Sequence, residues 1–199
     1  MELSPLAKEK LAKIGELTPE EKLKLKYAEQ LDSLLSGYFT GKQTPEGLCN
    51  EVKKLTEDGK GFLAKEVQIR LLDAIALAGS DADYDRQRRG IVAVESSKKD
   101  GKAGALEQNL KAVEALRRQY REEKEKAFQA VKANVEQQIR MAAQQVAARD
   151  GRVPSEMEIQ TSIDAAARSS NEWRAYMARL ENAYGSRVQG YIAKIKQML

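Results

Sequence analysis

The sequence predicts an all-α protein: a small helical N-terminal domain followed by a long antiparallel two-helix coiled-coil hairpin. Three observations lead there. Serine or threonine followed by proline recurs at Ser4-Pro5, Thr18-Pro19 and Thr44-Pro45, each an N-cap with proline in the first helical turn. Two long stretches near the C-terminus place apolar residues at spacings of three and four without an internal proline. Aromatic residues make up only 6% of the 199, against 42% hydrophobic and 32% charged, which favours thin helical layers over a thick core.

Taken in order, Ser4-Pro5 opens a helix over about 5–16. Thr18-Pro19 opens a second over about 19–36, with Glu21 placed for a capping box and Gly37 as its stop. Thr44-Pro45 starts a third that runs to about Leu55, and the turn EDGKG follows. The segment FLAKEVQIRLLDAIALAG, 62–79, carries Leu63, Val67, Leu71 and Ile75 on one side and Phe62, Ile69, Leu72 and Ala76 on another, the pattern of a central core helix. Ser80 with Asp81 and Asp83 caps a fifth helix over about 81–97, although Gly90 and the β-branched run after it disfavour helix. These elements form a domain over 1–97.

The stretch SSKKDGKAG marks a composition shift, and a linker is expected at 98–104. Beyond it, a hairpin is expected over 105–199, with its turn near 150–154. A helix of about 45 residues would be about 70 Å long at 1.5 Å per residue. Folding the chain at about residue 152 makes the two apolar stripes mirror each other. Val146 then meets Ile159, Ala142 meets Ile163, Val131 meets Trp173, Phe128 meets Met177, Tyr120 meets Tyr184 and Val113 meets Tyr191, with Ser170 a weak rung and Lys124 a missing one.

The segment RDGRVPSEMEI between the stripes reads as the hairpin turn. Gly151 suits the left-handed conformation that stops the first arm, and Ser155 with Glu158 forms a capping box for the second. Residues Gly151-Arg152-x-Pro154-Ser155-x-x-Glu158-Ile159 also resemble the opening of region 3 of bacterial sigma factors, which would imply a promoter-DNA contact. That match spans nine residues and departs from the family at Asp164, where a glycine is usual.

No chemistry of reaction is visible. Histidine is absent and Cys49 is the only cysteine, which excludes Cys/His zinc sites, a disulfide within the chain and histidine acid–base catalysis. Cys49 reads as a small buried residue. Asp81, Asp83 and Asp85 alternate as in a calcium loop, but Arg86 and Val92 occupy the positions of the required glycine and bidentate glutamate. No cofactor, metal or small-molecule site is expected, and no enzyme. The N-terminus lacks the apolar core of a signal peptide and no apolar run spans a bilayer, so a cytoplasmic protein without membrane contact is expected.

The net charge of +4 lies in the C-terminal half, where 101–199 hold 17 Lys+Arg against 12 Asp+Glu. The expected role is structural or adaptor, through association of the hairpin with a protein partner or with itself. The alternative is a nucleic-acid-associated regulator using the basic half. Candidate interaction residues are Arg149 and Arg152 at the turn, Lys124 in the charged run 121–126, and Tyr176 and Ile192, which with Met141 and Ala147 are apolar positions expected to be exposed.

Overall fold

A computed structural model describes residues 18–57, 60–150 and 155–199. Among these every regular element is a helix: α1 (Pro19–Phe39), α2 (Pro45–Thr56), α3 (Phe62–Asp73), α4 (Asp81–Ser96), α5 (Ala103–Asp150), α6 (Glu156–Ser169) and α7 (Asn171–Met198). The all-α expectation therefore holds for the described residues. The expected helix over 5–16, the residues of the turn at 151–154 and Arg152 lie outside them. Two compact units divide the chain, one comprising residues 1–108 with 194–199, the other residues 109–193. The division falls inside α5, beyond the linker expected at 98–104.

In the first unit the starts of the helices follow the caps. Thr18 and Glu21 form a reciprocal capping box, the Thr44 hydroxyl accepts from the Gly47 N–H, and the Ser80 hydroxyl accepts from the Asp83 N–H at 3.0 Å. α2 and α4 end within one residue of the sequence expectation, at Thr56 and Ser96, but the ends of α1 and α3 do not follow the sequence signals. α1 runs through Gly37 to Phe39, because the chain turns only at Gly41, whose φ of 76° is cheap without a Cβ, and Arg86 caps the Phe39 carbonyl at 2.7 Å. α3 stops at Asp73, six residues short of the expected end. The Ala74 carbonyl, which a longer helix would use, accepts instead from the buried Gln87 side chain at 3.0 Å.

Packing explains the glycine that disfavoured α4. A Cβ at Gly90 would lie 2.8 Å from the ring of Tyr38, a fully buried side chain whose hydroxyl donates to the Arg86 carbonyl at 2.5 Å. The helix tolerates glycine there because α1 occupies the space a side chain would take. Burial pushes the Tyr38 hydroxyl up to about 12, with Arg86 opposing. Around this contact Leu31, Leu48, Val67, Leu71 and Ile91 form the core, and Cys49 is a buried free thiol.

In the second unit the first stretch is one unbroken helix within α5, but the second is not one continuous arm of the hairpin expected over 105–199. It stops at Ser169, Ser170 is extended with φ −62° and ψ 145°, and α7 begins at Asn171. The Ser170 hydroxyl donates to the Ala167 carbonyl at 2.9 Å and accepts from the Trp173 N–H at 3.1 Å, so one side chain closes α6 and opens α7. The weak rung of the stripe is a helix boundary.

Candidate interaction surface

Near the middle of α5 the apolar stripe is covered and reinforced by polar contacts. Tyr120 and Tyr184, opposed in the mirror register, have ring centroids 5.9 Å apart, and the Tyr184 hydroxyl donates to Glu123 at 2.6 Å. That hydrogen bond raises the Tyr184 pKa, while burial, with Glu181 nearby, raises that of Tyr120. Phe128, Val131, Ala167 and Trp173 form a cluster in which Phe128 meets Trp173 edge-on at 5.1 Å. The Arg168 guanidinium lies 4.7 Å from the Phe128 ring, so this cation is held against the aromatic face.

Towards the end of α5 the register departs from the mirror. Lys132 pairs with Asp164 at 2.7 Å and Arg140 with Glu156 at 2.7 Å, whereas the mirror would set Arg140 opposite Asp164. The boundary at Ser170 is the cause: residues 164–173 of the second stretch gather around Phe128–Lys132, and pairing resumes eight residues nearer the turn. Arg140 also bonds Glu136, and its hydrogen bonds hold the Glu156 carboxyl down at about 2.

The covered face of α5 rotates with this change. Past Val135 the half-buried positions are Glu136, Ile139, Arg140, Ala143 and Ala147, while Ala142 and Val146 of the predicted stripe are exposed. Gln138, Met141, Ala142, Gln145, Val146 and Arg149 instead form one exposed face at helical spacing. Met141 is 55% exposed and Val146 43%, with Met157 on α6 at 80%. Residues 141–148 contain no charged side chain, in a chain that is 32% charged.

The sequence-predicted residues fall apart when placed on this frame. Arg149 is exposed in the last turn of α5, at one end of that face. The Lys124 ammonium sits 6.0 Å over the Tyr120 ring, and Tyr176 is half-buried, stacked on Trp173 at 6.1 Å. Ile192 is corrected: it is 2% exposed, because the buried positions of α7 run Val188, Ile192, Ile195 in place of Val188, Tyr191, Ile195. Gln138 was missed entirely, since no stripe rule marks a glutamine as part of an apolar face.

A second polar arrangement lies in the first unit. The buried Glu95 carboxylate accepts from Lys98 at 2.6 Å, from Gln68 at 3.0 Å and from the Lys102 N–H at 3.0 Å, the last tying it to the residue before α5. Burial pushes this carboxyl up, but the three hydrogen bonds and the charge of Lys98 outweigh it and hold it below the usual carboxylate range. Among the described residues no group of three or more potential ligands could hold a metal ion, and no helix is long and apolar enough to cross a membrane.

The fold and this surface define a class: a protein helical in every described element, with a long helix that presents an exposed face of apolar and amide side chains, edged by Arg149, near its C-terminal end. More particularly, the chain belongs to a family of unknown function, DUF6657, whose model matches residues 49–197 and so takes in residues of both units. No curated protein and no solved structure matches the chain significantly.

Proposed function

We propose that this is a non-enzymatic structural or adaptor protein, in which α5 with α6 and α7 forms an antiparallel coiled-coil hairpin that mediates protein–protein association. The observation that carries the reading is the contrast along α5. Its middle is closed by aromatic packing and a part-buried hydroxyl–carboxylate bond from Tyr184 to Glu123, while its end exposes Met141 and Val146 on a face free of charge from 141 to 148. Exposed apolar side chains grouped on one helix face are the usual mark of a contact surface.

A photo-reactive amino acid at Met141, compared with one at the exposed Gln129 on the covered part of the helix, tests this in the cells that make the protein. High-mass protein adducts from position 141 and few from 129 are expected. Equal yields from both positions, or none from either, would sink the reading.

A further inference from the structure

We propose that the occupant of the exposed α5 face is a second copy of this chain, docked antiparallel about a two-fold axis near residues 143 and 144. The proposal rests on the reading of unit 109–193 as an association arm. In such a contact residue i meets j of the second copy and j meets i, so the face must complement itself.

This face does. An axis between 143 and 144 brings Met141 onto Val146 of the second copy, Ala142 onto Gln145, and Gln138 onto Arg149. One symmetry operation covers both large apolar side chains exposed on the end of α5. Ala142, the small residue of the exposed face beside the axis, lets the backbones approach. No like charges meet, since 141–148 are uncharged and each arginine faces an amide that can accept from it. A partner selected by charge would need a basic or acidic surface, and a face with one cation at its edge offers little for that.

The contact covers about 12 residues, roughly 18 Å of helix. That is well short of the ~800 Å² per partner of a standard stable interface, so the dimer is weak and reversible, dissociating at about 10 to 100 µM.

Sedimentation equilibrium of the full chain from about 5 to 500 µM tests it, spanning that range on both sides. A monomer–dimer equilibrium is expected. Val146→Glu should weaken it at least about tenfold, while Gln144→Glu, on the other side of the helix, should leave it unchanged. Gln138→Glu should tighten it about three- to tenfold by creating two symmetric pairs with Arg149, a gain that adding Arg149→Ala abolishes. Trp173 emission identical to the parent shows that each variant keeps its packing. A monomer throughout, a dimer indifferent to Val146→Glu, or a Gln138→Glu variant that dimerises less would overturn the proposal. Adducts from position 141 with a different protein, combined with a monomer, would leave the association reading standing and remove only self-association.

Discussion

At the scale of single residues, two buried contacts make sharp predictions. Glu95 is a carboxylate out of water whose oxygens take three donors. Glu95→Gln keeps the shape but sets an amide N–H₂ among donors, and should cost about 2 to 4 kcal/mol at neutral pH in a denaturant titration. Because the folded carboxyl titrates below the unfolded one, its contribution is complete above the ordinary carboxylate range. It is lost as pH falls through the folded value, so the gap between parent and variant should close below about pH 4. Gly90→Ala should cost about 1 to 3 kcal/mol, since its Cβ would meet the buried Tyr38 ring at under 3 Å. An unchanged midpoint would mean the ring moves freely. The sequence alone read Gly90 as a weakness of α4, because its reason lies 52 residues away in α1.

At the scale of elements, the break at Ser170 decides how α5 meets its neighbours. Cysteines replacing Arg140 and Glu156, in a Cys49→Ser background, should cross-link within one chain through a short bis-maleimide. Cysteines replacing Arg140 and Asp164, the pair a continuous mirrored arm would bring together, should not, because eight residues separate Asp164 from Glu156, about 12 Å of helix. The reverse result would restore the unbroken arm. Trp173 reports on the same junction as the only tryptophan. Val131→Asp should red-shift its emission by placing a carboxylate in the Phe128–Trp173 cluster, at a cost of about 2 to 4 kcal/mol. An emission maximum already at the water-exposed position in the parent would contradict the packing.

At the scale of the whole molecule, the net charge of +4 counts for less than it suggests, because many cations are engaged. Arg140 bonds Glu136 and Glu156, Lys132 bonds Asp164, Arg88 and Arg89 share Asp85, and Arg168 and Arg187 lie over aromatic rings. Generic duplex DNA in a filter-binding titration should therefore bind weakly at about 20 mM salt and not at all by about 150 mM. Tight binding that survives the higher salt would favour the nucleic-acid alternative over an adaptor.

What the sequence by itself determined is the helix starts announced by a cap beside a proline or an acid, whereas the equally local cap at Ser170 passed for a weak rung of the stripe. The helix starts at Pro19, Pro45, Asp81 and Glu156 were legible because a cap hydroxyl and the N–H three positions on are neighbours in any fold. The opposition of Tyr120 and Tyr184 was legible because large apolar side chains there outweigh any local alternative. Tertiary structure decided where α1 and α3 end and which faces stay uncovered. The end of α3 depends on Gln87 reaching the Ala74 carbonyl, and the stop of α1 on Arg86 reaching Phe39. The exposed face from Gln138 to Arg149 exists because the Ser170 boundary resets the pairing and rotates the covered side of α5. Periodicity marks which residues can share a face, but only the packed neighbours select the face that is buried, since alanine- and glutamine-rich turns past Val135 carry too little apolar area to force the choice.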